Sequence, residues 1–312
     1  MGSGAAFIQD SDYVELSIIV ACVDAGRSIR ECLRRLKHAC AGIAAELIVV
    51  DASADDTAAQ VTAFDGDVRL VRLPYNTLTP LLWAEGYRQA TGRVIAFTTG
   101  HCLVSPRWAA ALIDAIDAGA AGAGGPLVLS PAVGTLDAAV YYLRYSAFTP
   151  NTLGKEGIAG EIAGDNAAYG REWLDRHADS LADGFWEVDF HRLVRVDGGY
   201  LAAVPAAVVE FGRSFPMGTI ARHRFAHGSH YGDARVHVGT RTAWQIVLAA
   251  PLVPFVLALR AAARVVRDRR SAARFVTALP CFLALATSWA LGEACGAING
   301  ALPATVPSTR AL

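Results

Sequence analysis

Two short runs decide the fold: LSIIVACVD over residues 16–24 and ELIVVDASADDT over residues 46–57. Each begins as a β-branched, apolar stretch and breaks into small and acidic turn residues, the pattern of a strand running into a loop. On either side of them, residues 15–23, 46–51, 68–73 and 93–98 read as strands, and residues 28–40, 57–64 and 79–91 read as helices between them. Strand and helix in short alternation predict an α/β fold, a mostly parallel sheet with flanking helices. Ligands of such sheets sit beyond the carboxyl ends of the strands. Those ends here are Cys22-Val23-Asp24, Asp51-Ala52-Ser53 and Thr98-Thr99-Gly100-His101.

The composition bounds the rest. The chain has 312 residues, 53% of them hydrophobic and 18% charged, with a formal net charge of -1. Charged residues make up roughly 25% of an ordinary soluble chain, so this one is apolar. A near-zero net charge gives no electrostatic footprint for nucleic acid, which is not expected as a partner. The six cysteines form no C-x-x-C pair and no zinc-type spacing, so they read as reduced, small hydrophobes. The opening residues MGSGAAFIQD lack the basic and apolar regions of a signal peptide, and Ala6 stands where a myristoylation motif has Ser or Thr. There is no phosphate-binding G-x-x-x-x-G-K-[ST] loop.

Asp51 closes an apolar run, and Ser53, Asp55, Asp56 and Thr57 follow it. A carboxylate at that place can accept a hydrogen bond from a nucleobase or ribose, whereas Asp55 and Asp56 suit capping of the next helix. From the residues alone, a ligand role and a purely structural role stand open for Asp51.

The series LSIIVACVDAGRSIRECLRRL, LIVVDASADDTA and ATGRVIAF resembles family 2 glycosyltransferases of the GT-A fold. Further on, GEIAGDNAAYGREWL resembles that family's acceptor-side segment, DGFWEVDFHRLVRVDGGYL the segment carrying its catalytic base, and ARHRFAHGSHYG the basic segment that closes over the diphosphate. The likeness runs over residues 14–235. It implies a nucleotide-sugar donor, UDP-linked, held by Val23, Asp24, Asp51 and Ser53, with Arg222 and Arg224 on the diphosphate. It implies Glu187 as catalytic base, with Asp189 as the alternative two residues on. It places Gly164, Asp165 and Asn166, with Trp186, on the acceptor side, and it implies inversion at the anomeric carbon.

One departure is large. Where the family carries a metal-binding Asp-x-Asp, this chain reads Thr99-Gly100-His101. Magnesium prefers oxygen ligands, often carboxylate, and manganese accepts imidazole more readily. His101 therefore stands open as a ligand of a divalent metal (Mn or Mg), as a direct contact to the diphosphate with Thr99, or as a remnant in a silent relative. The chemistry of the other positions suits glycosyl transfer. A carboxylate such as Glu187 can take the proton of an acceptor hydroxyl as the new bond forms, and arginines can stabilise the charge gathering on the departing diphosphate.

The C-terminal part differs in kind. No charge lies between Arg241 and Arg260 or between Arg274 and Glu293, two runs of about 18 residues each, at the short end of what spans a bilayer. Pro251, Pro254 and Pro280 should bend them. The connecting RAAARVVRDRRSAAR puts Arg260, Arg264, Arg267, Arg270 and Arg274 on one helical face, as in a helix lying in a membrane interface. Two full spans would carry this basic connector outward, against the positive-inside tendency, so the runs are expected to lie shallowly or re-enter. The expectation is thus a GT-A-like catalytic domain over residues 1–235 and a membrane-associated helical region over 236–312. The catalytic domain would stand on the cytoplasmic side of a cell inner membrane. The acceptor would be a glycan, a lipid-linked sugar or a small molecule, and lipids would be partners. A catalytically silent protein that binds a nucleotide sugar or glycan is the alternative.

Overall fold

The computed structural model describes residues 13–75, 77–212, 216–266 and 269–301. They divide into two compact units. One holds the chain up to Leu127 together with Pro150–Glu210, and the other holds Val128–Thr149 together with the chain from Phe211 on.

The first unit is a mixed α/β layer structure. Its strands are β1 (Leu16–Cys22), β2 (Ala45–Asp51), β3 (Val68–Arg72), β4 (Val94–Thr99), β5 (Cys102–Val104), β6 (Gly122–Gly124), the start of β7 (Leu127–Leu129), β8 (Gly157–Ala159), β9 (Ala167–Gly170), β10 (Leu201–Ala203) and most of β11 (Val209–Phe211). Its helices are α1 (Ile29–Ala39), α2 (Thr57–Thr62), α3 (Thr79–Gln89) and α4 (Trp108–Asp117). In the second unit comes α5 (Thr135–Tyr145); α6 (Pro150–Leu153), α7 (Arg171–Arg176) and α8 (Glu187–Val196) return to the first. Eight strands form one sheet in the order β3-β2-β1-β4-β9-β6-β10-β8. The expected alternation over residues 15–98 is present, each element within a residue or two of its expected ends. β1 is buried along its whole length because helices cover both faces, which is why it reads as an unbroken apolar run.

The order 3-2-1-4 places the reversal of winding between β1 and β4, both parallel to their neighbours in this half of the sheet. That reversal opens a crevice at the carboxyl ends of the strands. β9 then runs antiparallel to β4, with Ala167 opposite Phe97. The residues just before Ala167 therefore emerge at the same edge of the sheet as the end of β4. Five aromatic side chains lock this region. Phe97 of β4 stacks on Phe185 at 4.5 Å, and Trp83, Tyr169 and Phe190 pack against them edge-on or tilted. Since Phe185 is immobilised in that cluster, the start of α8 at Glu187 is fixed relative to β4.

The second unit is helical: α5, α9 (Met217–His237), α10 (Ala243–Ala249), α11 (Val253–Val265) and α12 (Arg269–Ala301). α12 is long and apolar enough to cross a membrane. α9 and α12 pack lengthwise through glycines. A Cβ on Gly296 would stand 1.8 Å from the Ser229 carbonyl oxygen, and one on Gly232 would stand 2.0 Å from that of Glu293, so only glycine permits this backbone-to-backbone approach. Arg235 of α9 pairs with the buried Glu293 of α12 at 2.5 Å.

The basic connector differs from expectation. It is not one continuous helix, because α11 ends at Val265 and α12 begins at Arg269; Arg267 lies outside the described residues. Arg264 donates to the Ser146 hydroxyl, and Arg274 donates to the carbonyls of Ser130, Pro131 and Val133. At least these two arginines are spent on the protein's own polar groups, contacts between distant segments that a helical wheel cannot show.

Candidate functional site

The loops after β1 and β2 interlock through polar side chains. Asp24 sits in the left-handed region at φ 49°, which Asp tolerates better than most residues. That turn aims its backbone N–H at the Ser53 hydroxyl, 2.8 Å away, and its carboxylate accepts the N–H of Ala54 at 2.9 Å. Tyr75 donates its hydroxyl to the other carboxylate oxygen at 3.4 Å. Asp55 accepts the N–H groups of Gly26 and Thr57 at 2.9 and 3.0 Å, so it joins the two loops and satisfies a donor of the first turn of α2. Asp56, at the N-cap position, makes no capping bond; it accepts from Gln60 instead.

Asp51 is fully buried at the end of β2. One carboxylate oxygen accepts both the N–H and the hydroxyl of Ser53, and the other takes Arg72 at 2.6 Å. Burial raises the Asp51 carboxyl above its usual value, while Ser53 and Arg72 work in the opposite direction. Half of the Arg72 side chain is exposed, so it forms the wet side of this pair. Sequence reasoning missed Arg72. Its only signal was parallel pairing of β3 with β2, which sets Arg72 opposite Asp51.

The end of β4 closes against the same loops. His101 is buried, with Nε2 at 3.3 Å from the Val23 carbonyl and Nδ1 at 3.4 Å from the Ser28 hydroxyl. A carbonyl only accepts, so Nε2 carries the proton in this contact. Gly100 permits the turn: a Cβ there would stand 2.8 Å from both Cys22 Sγ and Ala25 Cβ. Thr99 is buried and donates to Cys102 Sγ at 3.3 Å. Among the described residues, no three His, Cys, Asp or Glu side chains come together as a cation site. Thr99, Gly100 and His101 bring no carboxylate, and His101 has its Nε2 on the protein's own backbone. This donor set does not fit a hard divalent cation held by carboxylates.

The segment Gly164–Asn166 forms a single 3₁₀ turn before β9. Asn166 is fully buried, and its amide is spent on structure: Oδ1 accepts from Trp108 at 2.7 Å, and Nδ2 donates to Pro126 and Ala207 at 3.3 and 2.8 Å. Both its N–H groups are used, so Asn166 holds the turn in place and has none left for an acceptor hydroxyl. Asp165 is buried beside it. The turn touches the start of α8, since a Cβ on Gly164 would stand 3.5 Å from Glu187 Cδ and 2.8 Å from the Trp83 ring. Glu187 is half-buried, Trp186 donates to the Asp183 carbonyl at 3.1 Å, and Asp189 is exposed. On a helix, residues two apart point to different sides, so Glu187 and Asp189 do not share a surface. Arg222 and Arg224 belong to α9 in the second unit.

Behind Glu187 lies a chain of groups that sequence reasoning did not single out. Tyr169 Oη stands 2.8 Å from His191 Nε2, and His191 Nδ1 stands 2.5 Å from Glu161, which also accepts from Arg195 at 2.9 Å. A carboxylate accepts only, so His191 carries its proton on Nδ1 and receives the Tyr169 hydroxyl on Nε2. Burial lowers the His191 imidazole below its usual value, overriding the opposing pull of Glu161. Burial pushes the Glu161 carboxyl upward, but His191 and Arg195 outweigh it and leave it low. Burial pushes the Tyr169 phenol well up, and the charges of Glu187 and Glu161 add to this.

No curated protein matches the chain. Among solved structures, it is similar to S. aureus TarS 1-349 in complex with UDP-GlcNAc, at 14% sequence identity and a TM-score of 0.46. That likeness covers 68% of this chain and 66% of that one, just under two thirds of the relative's length. The model of the family described as "Glycosyl transferase family 2" matches residues 17–178, more than half of the 312 residues and all but the first residue of the run from β1 through α7. The chain belongs to glycosyltransferase family 2.

Proposed function

We propose that this protein transfers a sugar from a nucleotide-sugar donor, UDP-linked, to an acceptor hydroxyl, with inversion, at the cytoplasmic face of a membrane. One observation carries the reading. The half-buried Glu187 lies against the Gly164 turn, and that turn emerges at the carboxyl edge of β4, the edge at which the loops of Asp24, Asp51 and His101 meet. A base and a polar cradle are thus held at one edge of one sheet. The base would go to an acceptor hydroxyl and Asp51 to the nucleobase, which reaches this buried carboxylate when the half-exposed Arg72 side chain turns outward.

In the proposed step the acceptor oxygen attacks the anomeric carbon from the side opposite the leaving group. Glu187 takes the hydroxyl proton as the new C–O bond forms, the bond to the diphosphate breaks, and the nucleoside diphosphate departs with the electron pair. The aromatic cluster of Trp83, Phe97 and Phe185 backs the Glu187 segment and limits water there. The silent alternative keeps the cradle and lacks the step; the missing carboxylates after β4 are the observation in its favour.

Calorimetric titration with a panel of nucleotide sugars tests the donor. A UDP-sugar should bind, and Asp51→Asn should weaken it by about 10-fold, the worth of a hydrogen bond to a charged group. Absence of binding across the panel would remove the donor reading. Binding without transfer or donor hydrolysis would establish the silent relative.

A further inference from the structure

We propose that the bent helix pair α10–α11 is a monotopic membrane wedge: it enters one leaflet of an anionic bilayer, while α12 stays out of lipid as the core helix of its unit. This goes beyond the catalytic reading and stands independently of it. α10 and α11 meet at a 66° bend around residues 250–252, where Pro251 and Pro254 interrupt the backbone ladder. Their outer surface is apolar and bare. Trp244 is 63% exposed, Leu248 69%, Leu252 65%, Phe255 59% and Leu259 72%, exposed large apolar side chains gathered in one short stretch, as at interaction sites.

Three features select a lipid surface as the occupant. First, reach: α10 has 7 residues and α11 has 13, about 10 and 20 Å at 1.5 Å per residue. Neither limb crosses a hydrocarbon core of about 30 Å, and the bend stops them from adding end to end. Second, charge: the uncharged run ends on Arg241 and Arg260, both exposed, so cations rim the apolar patch where headgroups would lie. Third, the aromatic Trp244 sits near the Arg241 end, as side chains at a membrane–water boundary do.

α12 is long and apolar enough for a span, yet its setting argues against one. Its glycine face is pressed onto the backbone of α9. α9 carries Arg222, His223, Arg224, His227, His230 and Arg235, and a span that brought this partner along would drag those groups into hydrocarbon at prohibitive cost. Within α12, Glu293 is buried against Arg235, a pairing made inside the protein.

Co-sedimentation of the full chain with phosphatidylcholine vesicles, with and without phosphatidylserine, tests the proposal. The parent should bind, more strongly with phosphatidylserine. The triple variant L248S, L252S, L259S should lose binding on the order of 10-fold or more. The matched pair L291S, I298S, on the exposed side of α12, should stay within about 2-fold. R241Q with R260Q should erase the preference for anionic lipid. Far-UV circular dichroism and nucleotide-sugar titration of each variant show that loss of binding is not loss of fold, and they keep this result separate from the donor reading. If the α12 pair abolishes binding, the wedge is wrong and α12 is the anchor. If the parent ignores both vesicles, the patch is covered by protein and the proposal falls.

Discussion

Glu187 stands in the first turn of α8, half-buried against Gly164, whereas Asp189 is exposed on another side of the helix. That difference separates two carboxylates the sequence left adjacent. Glu187→Gln keeps the shape and removes the base; general-base catalysis is worth about 10²–10⁴-fold, so transfer should drop by that order with donor affinity nearly unchanged. Asp189→Asn should cost far less. Steady-state rates with a saturating donor check this, and a dead Asp189→Asn beside an active Glu187→Gln would move the base by two residues. His101 presents a second case. It ties the end of β4 to the Val23 carbonyl and to Ser28, so its removal should loosen the loops around the donor. His101→Ala should weaken nucleotide-sugar binding, leave binding of the free nucleoside nearly unchanged, and lower stability by about 1 kcal/mol, the net worth of a hydrogen bond. Unaltered donor affinity in calorimetry would take His101 out of the site.

At the scale of elements, the α9–α12 contact is where glycine decides the packing. Gly296→Ala should gain up to about 1 kcal/mol of helix propensity. It also sets a Cβ 1.8 Å from a backbone oxygen that cannot rotate away. Relief requires the helices to part along their length, and overpacking costs about 1–3 kcal/mol, so the clash wins and thermal unfolding should shift downward. Gly218→Ala, on α9 where the nearest atom is the far end of Arg222 at 3.9 Å, should be neutral or stabilising. Equal melting temperatures for the two variants would refute the tight contact. These glycines also show where reading the sequence ran out. β1, β2, β3 and β4 were legible because buried strands write their identity locally, in β-branched runs closed by turn residues. The pairing of Gly232 with Glu293, or of His191 with Glu161, joins residues far apart in the chain and leaves no local period. The connector differs for a related reason: its wheel is sound as a pattern, but Arg264 and Arg274 find their partners on segments more than a hundred residues away. In the site, Asp51 and Glu187 were visible through their resemblance to a family, while Arg72 and the Tyr169–His191–Glu161 chain needed the sheet register and the burial of α8.

Across the whole molecule, the buried groups set how stability depends on pH. His191 is held below its usual 6.5 by burial, so the folded state resists a proton that the unfolded chain accepts. The linked stability is complete above 6.5 and falls as pH drops through that value toward the lower folded one. Glu161 is held below its usual 4.5 by His191 and Arg195 in spite of burial, so its contribution is complete above 4.5 and is lost at more acid pH. Glu31, brought to about 2 by Arg34 and Arg35, adds little because those partners are exposed enough for solvent to screen them. The melting temperature should therefore be level near neutral pH, decline gently below 6.5, and decline again below 4.5. His191→Gln cannot protonate. It should lower the neutral plateau by about 1–3 kcal/mol, because Tyr169 and Glu161 lose well-matched partners in a buried place, and it should flatten the slope between 6.5 and 4.5. The residual slope there belongs to His227, which burial, and then the charges of Arg224 and Arg144, also hold low. Differential scanning calorimetry across this range reads both effects at once. A variant that keeps the parent's slope while losing the plateau would show that His191 takes up its proton alike in the folded and unfolded chain, and the slope between 6.5 and 4.5 would then have to come from other groups.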